Sequence, residues 1–240
     1  MKMDNKERKL QDGPQAFPKW KRMLDLCFII GSLPFTVPLG ALIALHIKLV
    51  SSGPVVFRQV RIGFHGQKFM CLKFRTMHVG ADDSRHRDYL GQLINSQVPM
   101  IKMDSRGDSR IIPGGSILRA IGLDELPQLI NVFHGDMSVV GPRPCIPYEF
   151  EQYTDAQRRR FDARPGLTGL WQVSGKNRTT FDQMIGLDVR YAERPSLGLD
   201  LYIMARTPLV LLEQLLARFA PPKTETVASL ERADLKRVTH

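Results

Sequence analysis

The chain has 240 residues, a formal net charge of +10 and a pI near 9.8. This length is sufficient for one catalytic domain with a hydrophobic core, and the charge implies an anionic partner: nucleic acid, an anionic membrane surface or a phosphorylated substrate. Its three cysteines show neither CxxC spacing nor clustering with histidine, which argues against a disulfide framework or a zinc site and favours a reducing, cytosolic setting.

Composition divides the chain into four segments. Residues 1–20 are polar, and residues 21–50 contain a long apolar run. We expect the catalytic domain over residues 51–219, since apolar and polar residues are mixed there. Residues 220–240 are polar and charged, which predicts a disordered tail.

The apolar run, residues 26–45, carries no charge and is long enough to cross the hydrocarbon core as one helix. A single transmembrane helix is therefore the simplest interpretation, and a cleaved signal peptide is less favoured because no suitable cleavage site follows. Pro34 and Pro38 interrupt the run. Proline removes a helix hydrogen bond and bends the axis, so we expect a kink.

The residues on either side of this run favour a different path through the membrane. Basic residues lie on both sides, and the positive-inside rule predicts that both flanks are cytoplasmic. A helix that enters the membrane, breaks and returns satisfies that rule, whereas a crossing helix does not. We therefore expect a re-entrant hairpin. The basic residues are Lys19, Lys21 and Arg22 before the run, and Lys48, Arg58 and Arg61 after it.

A β-hairpin follows the apolar run. Residues 55–61 and 68–74 have strand composition and are separated by the glycine-containing turn 63–66. At its end, Lys73 and Arg75 alternate with Phe74, which would give the strand one basic face. Such a face suits a diphosphate or lipid headgroups, and a solvated strand face is an equally good interpretation.

Two helices are predicted next. Residues 81–97 have the pattern of a solvated helix with one apolar side. Residues 116–121 form a shorter helix that ends at Gly122 and carries Arg119 toward the residues that follow.

Asp124 and Glu125 are two adjacent carboxylates that precede Pro127. Proline is tolerated in the first turn of a helix, so both carboxylates are expected at the positive end of a helix dipole, where they stay ionised. Neighbouring side chains at a helix start diverge, so one carboxylate could attack phosphorus while the other holds a metal. An acidic first turn that only complements the dipole is the alternative.

Two arginines lie in turns stiffened by proline. Arg143 stands between Pro142 and Pro144, and Arg164 precedes Pro165. A stiff turn is one interpretation of each, and a preorganised phosphate-binding arginine is the other. Further on, residues 196–216 predict an apolar helix interrupted by a proline, which could lie in the headgroup plane or pack on the core.

The string 123–144, with residues 73–77 upstream and 164–177 downstream, resembles the bacterial sugar transferases, the small monotopic polyprenyl-phosphate phosphoglycosyl transferases. The resemblance covers roughly residues 21–212. It implies a helix-rich α+β catalytic domain, associated with the membrane on one side only, with a re-entrant helix-break-helix whose break lies at Pro38.

The resemblance also implies an activity. A hexose-1-phosphate would pass from a UDP-sugar to undecaprenyl phosphate, with release of UMP, at the cytoplasmic face of the bacterial inner membrane, initiating exopolysaccharide or other glycoconjugate synthesis. Asp124 would attack the sugar-bearing phosphorus and form a covalent aspartyl phosphosugar, and Glu125 would bind Mg²⁺. The phosphate-binding residues implied are Lys73, Arg75, Arg119, Arg143 and Arg164.

Two other functions fit part of the sequence. A non-catalytic, membrane-tethered basic domain that binds anionic lipid or nucleic acid explains the charge but not the acidic pair. Because RNP-like and zinc-finger patterns are absent from the sequence, no nucleic-acid partner is expected. The other is a hydrolase that uses water as the acceptor.

The motifs identify neither the sugar nor the pathway. They also leave the oligomeric state open, and a homo-oligomer is compatible with the sequence.

Overall fold

The computed structural model describes residues 17–80, 108, 110–175 and 179–219. The helix expected over 81–97, the tail expected over 220–240 and most of the polar segment 1–20 lie outside these residues. Within them the expected helix-rich α+β fold is confirmed.

The elements in chain order are α1 (Lys19–Val50), β1 (Val56–Ile62), β2 (Lys68–Phe74), α2 (Gly115–Ala120), α3 (Gln128–His134), β3 (Ser138–Val140), α4 (Pro147–Glu151), α5 (Asp155–Arg158), β4 (Gly166–Thr168), α6 (Leu170–Val173), α7 (Phe181–Glu193) and α8 (Leu197–Phe219).

Helix α1 contains both prolines of the apolar run and is the one described helix long and apolar enough to cross a membrane. It continues from Lys19 to Val50 without interruption, so the expected division into two helices at Pro38 is not observed. The physical reason is that the fixed φ of proline is itself helical. Pro34 and Pro38 each remove one hydrogen bond without requiring a non-helical residue.

The N-terminal end of α1 is fastened to the rest of the protein by buried polar contacts. Lys21 Nζ donates to Asp200 Oδ2 of α8 at 2.5 Å, and both side chains are buried. Asp25 Oδ1 accepts hydrogen bonds from the Ser138 hydroxyl at 2.9 Å and from the Val139 amide at 2.8 Å. These contacts tie the start of the helix to α8 and β3.

The C-terminal end of α1 packs through apolar side chains instead. Ile43 and Ile47 are buried in a cluster with Phe74 of β2 and with Ile112. Between the two ends, the helix exposes large apolar side chains. They are Ile30, Leu33, Phe35, Val37 and Leu42.

The strands form two small sheets. β1 and β2 pair antiparallel from Val56–Phe74 to Ile62–Lys68, which confirms the expected hairpin to within one residue at each end of β1. β3 and β4 pair in parallel, with Ser138 opposite Gly166. The second sheet brings the turn before Pro142 next to the turn after Arg164.

The interior beneath these sheets contains a charged pair. Arg160 and Asp188 form an ion pair and are both fully buried. Arg160 also donates to the Tyr153 hydroxyl at 2.7 Å and to the Arg143 carbonyl at 2.8 Å. It therefore supports the backbone of the turn that carries Arg143.

Candidate active site

The acidic pair lies on a single tight turn. Helix α2 is followed by Gly122 in the left-handed region at φ 73°, and residues Leu123–Glu125 then form one 3₁₀ turn. Pro127 follows as the N-cap of α3. The expectation that the pair precedes a proline-marked helix is correct, although the carboxylates lie on a separate 3₁₀ turn rather than within the first turn of α3.

The two carboxylates differ in exposure. Asp124 is buried, with 9% of its surface exposed, whereas 37% of the Glu125 side chain is exposed. Adjacent residues on a turn point in different directions, so this difference follows from their spacing. The arrangement suits two carboxylates with separate roles better than a facing pair of carboxylates that share one proton.

Lys73 at the end of β2 pairs with this turn. Its Nζ lies 2.8 Å from Glu125 Oε1, and 24% of the lysine side chain is exposed. The strand thus delivers a cation to the acidic pair across 52 residues of sequence. This ion pair between two predicted site residues was not itself predicted, and phosphate binding by Lys73 stays a prediction.

A cavity of about 1300 Å³ opens over the acidic pair. Seven lysine and arginine residues line it, against three carboxylates, so its polar wall has a net positive charge at neutral pH. A wall of this kind attracts phosphorylated ligands. The cations are Arg58, Arg61, Lys73, Arg75, Arg110, Arg119 and Arg143, and the carboxylates are Asp108, Asp124 and Glu125.

Helices α1 and α8 add apolar side chains to the lining of the cavity. Helix α1 contributes Phe28, and α8 contributes Met204, Pro208 and Leu211. Both helices also have apolar side chains exposed outside the cavity. The cavity therefore joins a cationic region to a region bordered by the two longest described helices.

Arg75 lines the cavity, but its guanidinium is engaged elsewhere. It donates to the Ser52 carbonyl at 2.6 Å and to the Ser51 carbonyl at 3.0 Å, just after the end of α1. Only Nε has no hydrogen-bond partner among the described residues. Arg75 thus fastens the end of α1 to the hairpin, and a direct phosphate contact by Arg75 stays a prediction.

Arg143 meets the expectation of an arginine at the cavity wall. Its side chain is 29% exposed, and Nη1 lies 3.5 Å from Glu149 Oε2. Burial lowers the pKa of Arg143, but Glu149, Tyr153 and Cys145 together outweigh burial and raise it. Arg119 also lines the cavity, on the helix that leads into the acidic turn.

Arg164 is the one predicted phosphate-binding residue that does not line this cavity. Its guanidinium carbon lies 4.0 Å from the centroid of the Phe17 ring and 5.8 Å from that of Phe64. Burial first, and the nearby Arg22 charge second, lower its pKa. The structure therefore does not bring Arg164 to the acidic pair, because its side chain packs on aromatic rings next to the start of α1.

Sequence reasoning missed three cavity cations, Arg58, Arg61 and Arg110. It used Arg58 and Arg61 only as the basic flank of the apolar run. For Arg61 the available signal was the strand alternation, which places it on the same hairpin face as Lys73, because Phe57 pairs with Lys73 and Arg61 pairs with Phe69. Arg58 pairs with Leu72 on the opposite face, so the strand pattern gives no signal for it.

A metal ion at this site would have two adjacent carboxylates available. Among the described residues no group of three or more histidine, cysteine, aspartate or glutamate side chains could hold a metal. Mg²⁺ commonly uses only one or two carboxylates, with substrate phosphates and water as its other ligands. Asp124 and Glu125 at the wall of a phosphate-attracting cavity fit Mg²⁺ on this ground.

Comparison with known proteins agrees with the site. The family model described as "Bacterial sugar transferase" matches residues 16–214. The chain belongs to the bacterial sugar transferase family. This membership confirms the expectation of an enzyme, and the match spans α1, the acidic turn and most of α8.

Several curated relatives are similar over most of this chain. The exopolysaccharide production protein ExoY of Sinorhizobium fredii is 37% identical over 195 residues, which cover 81% of this chain and 86% of that protein. The UDP-glucose:undecaprenyl-phosphate glucose-1-phosphate transferase of Caulobacter vibrioides is 42% identical over 195 residues, 78% of this chain and 67% of that protein. The undecaprenyl-phosphate galactose phosphotransferase of Salmonella typhimurium is 36% identical over 200 residues, 81% of this chain and 40% of that protein.

Proposed function

We propose that this protein transfers a hexose-1-phosphate from a UDP-sugar to undecaprenyl phosphate and releases UMP, as the first step of exopolysaccharide or other glycoconjugate synthesis. The observation that carries the proposal is the acidic turn in the lining of a cavity that also has seven cations and apolar side chains of α1 and α8. The cations suit a sugar diphosphate, and the apolar side chains suit an isoprenoid chain. The activities for which the Caulobacter and Salmonella relatives are named support the same reaction.

Asp124 is the nucleophile in this proposal. Its carboxylate oxygen forms a bond to the phosphorus that bears the sugar, the phosphoanhydride bond breaks, and UMP leaves with the bonding electrons. A phosphate oxygen of the acceptor then attacks the same phosphorus. The aspartyl bond breaks, a diphosphate-linked sugar forms on the lipid, and the Asp124 carboxylate is restored.

Burial distinguishes the two carboxylates for this role. Asp124 is the less exposed and lines the cavity, so a bound donor would shield it from water. Shielding matters because water would otherwise take the phosphosugar from the aspartate, and the enzyme would become a hydrolase.

Glu125, with Asp124 beside it, is the residue we assign to hold Mg²⁺. When bound, the ion would neutralise charge on the transferring phosphoryl oxygens and so lower the repulsion between donor and acceptor. Lys73 holds Glu125 in place at 2.8 Å. The cavity arginines, Arg119 and Arg143 among them, would carry the remaining phosphate charge.

The acceptor would enter from the membrane side, between α1 and α8. Phe28 of α1 and Met204 and Leu211 of α8 line the cavity. An isoprenoid chain along these side chains gains apolar contacts, while its phosphate reaches the acidic turn.

The contacts of α1 support a re-entrant path on the cytoplasmic face of the inner membrane. A helix that crosses about 30 Å of hydrocarbon places its ends on opposite sides. Here both ends contact one protein body, through Lys21 and Asp25 at the start and through Ile43 and Ile47 at the end. A bend at the prolines, with the apolar middle in the lipid, fits these contacts better than a crossing.

The outer face of α8 supports membrane contact as well. Ile203 and Met204 pack inward, whereas exposed apolar side chains recur at helical spacing on the opposite side. One face of α8 packs on the core, and the other face is exposed, where it would contact lipid in this proposal. The exposed side chains are Leu201, Tyr202, Leu209, Leu212 and Leu216.

The topology is tested with single-cysteine reporters in a cysteine-free background. A reporter at Lys19 and one at Ser52 stand on the two sides of α1. The re-entrant path predicts that a membrane-impermeant maleimide labels both in inverted vesicles and neither in intact cells. Labelling of either position from the periplasm would contradict it.

The reaction itself is tested with purified protein, Mg²⁺, undecaprenyl phosphate and a panel of labelled UDP-sugars. The proposal predicts organic-extractable label from one or a few donors, with one UMP released per lipid product. Free sugar phosphate in place of lipid product would identify a hydrolase. Lipid binding with no UMP release would favour the non-catalytic basic domain.

A further inference from the structure

One carboxylate near the cavity, Glu149, is fully buried and has no role in the proposed mechanism. Glu149 of α4 has 0% exposure and does not line the cavity. Its Oε2 lies 3.5 Å from Nη1 of Arg143, which does line the cavity and is 29% exposed. Glu149 therefore contacts Arg143 from the side opposite to the ligand space.

The charge of Glu149 is maintained by its neighbours. Burial alone would raise the pKa of this carboxyl, but Arg143, Arg61 and Arg160 outweigh burial and hold the pKa below its ordinary value. The Tyr153 hydroxyl donates to Oε2 at 3.2 Å. Oε1 has no hydrogen-bond partner among the described residues. Glu149 is thus an anion at neutral pH, surrounded chiefly by guanidinium groups.

Arg61 belongs to the same cluster and also lines the cavity. Its Nε and Nη2 donate to Gln59 Oε1 at 3.1 and 2.7 Å, and Nη1 donates to the Pro144 carbonyl at 3.2 Å. Burial first, then the like charge of Arg143, lower the pKa of Arg61, whereas Glu149 acts in the opposite direction. Two arginines that repel each other therefore line the cavity, and the charge of Glu149 offsets burial for both.

We infer that Glu149 is a positioning residue, which holds Arg143 beside Arg61 as a paired cationic site for the diphosphate of the sugar-nucleotide donor. The inference rests on the proposed transfer reaction. Arg160 needs no help from Glu149, because Asp188 is its direct counter-ion. Glu149 therefore balances one of the two positive charges of Arg143 and Arg61. The remaining positive charge can bind the diphosphate of the donor.

The physical consequence of removing this carboxylate is a change in orientation. Without it, the repulsion between the two guanidiniums is no longer offset, and the partly exposed Arg143 is the one free to turn toward solvent. The donor then loses a preorganised arginine. The acceptor, bound at the apolar side chains of α1 and α8, does not.

The test compares Glu149→Gln with Glu151→Gln, an exposed glutamate on the same helix. The kinetic readout is the KM for the UDP-sugar at saturating undecaprenyl phosphate. Glu149→Gln is expected to raise this KM about 10-fold while kcat and the acceptor KM change less than about 3-fold. Glu151→Gln is expected to match the unsubstituted protein. An unchanged donor KM in folded Glu149→Gln would overturn the inference.

A double-mutant cycle distinguishes positioning from stability. If Glu149 acts through Arg143, then Glu149→Gln adds no further increase in donor KM to Arg143→Gln. A purely structural role would instead lower the melting temperature equally in both backgrounds and leave the donor KM unchanged. Equal, additive effects of both substitutions on the donor KM would also overturn the inference.

Binding of UDP alone, measured by calorimetry with Mg²⁺ and without acceptor, keeps this test apart from turnover. Glu149→Gln is expected to weaken UDP binding about 10-fold. Glu149→Asp, which keeps the charge on a shorter side chain, is the second variant if Glu149→Gln does not fold, and its UDP affinity is expected to fall about 3-fold. Normal UDP affinity in the variant that folds would overturn the inference. No lipid product from the unsubstituted protein would instead overturn the proposed function.

Discussion

The cavity wall and the protein interior both contain basic and acidic side chains, but these side chains have different roles in the two regions. In the interior, Arg160 has Asp188 as a counter-ion at contact distance, and both are out of reach of solvent. At the wall, Arg143 and Lys73 are partly exposed, and cations outnumber carboxylates. Paired, buried charges hold the fold, whereas the excess of exposed positive charge is available to a ligand. Substitutions on the two sides should therefore fail in different ways.

On the cavity side, Asp124→Asn should abolish transfer without unfolding the protein. The amide keeps the shape of the side chain but is not a nucleophile, so we expect turnover to fall at least about 10³-fold. The melting temperature should stay close to that of the unsubstituted protein. The measurement is lipid-linked product formation, with the fully exposed Asp155→Asn as matched control. Normal turnover by Asp124→Asn would exclude the covalent mechanism.

On the interior side, Asp188→Asn should lower the stability of the folded protein without a direct effect on the transfer reaction. It leaves the buried Arg160 charge without its counter-ion, which costs about 3–5 kcal/mol of stability. Chemical denaturation in detergent measures this loss, again with Asp155→Asn as control. A stable Asp188→Asn protein with low activity would break the comparison, since it would place Asp188 in the chemistry.

Glu125→Gln should sharpen the distinction within the acidic turn. If Glu125 holds Mg²⁺, its amide variant should need at least about 10-fold more Mg²⁺ for half-maximal activity. The folded state should persist, because the Glu125 side chain is 37% exposed and its pair with Lys73 is solvent-accessible. Activity is measured across a Mg²⁺ titration. An unchanged titration would count against the ligand role.

The smallest effect expected is on the pH dependence of stability. The pKa of Glu149 is lowered from its ordinary value of 4.5 by Arg143, Arg61 and Arg160, which outweigh burial. A carboxyl with a lowered pKa contributes stability that is present above the unfolded-state pKa and is lost as pH falls through the folded-state pKa. The stability difference between the unsubstituted protein and Glu149→Gln should therefore be constant above about pH 5 and shrink below pH 4.5. A difference that grows on acidification would contradict the assigned charge state.

Local patterns predicted local structure well. The hairpin followed from its glycine turn, the short helix ended near Gly122 as its sequence indicates, and the acidic pair preceded Pro127. Each of these depends on backbone preferences within a few residues. The ion pair between Lys73 and Glu125 was not predicted, because it joins residues 52 positions apart in the chain.

The unpredicted features depend on contacts between distant parts of the chain. Arg75 donates to the carbonyls at the end of α1, and Arg164 packs on Phe17 and Phe64. In both cases the contacted residues lie outside the sequence motif that contains the arginine. The helix through Pro38 also stays continuous. A basic residue in a stiff turn has the same local pattern whether it binds phosphate or packs on a ring, and only the tertiary fold decides between them.

The most direct test of the account is to trap the phosphosugar on Asp124. Purified protein is mixed with Mg²⁺ and the correct UDP-sugar in the absence of acceptor, quenched, digested and analysed by mass spectrometry. The account predicts one added hexose phosphate on the peptide containing Asp124, absent in Asp124→Asn and lost when undecaprenyl phosphate is added. Continued turnover with an unmodified Asp124 peptide at every time point would contradict it.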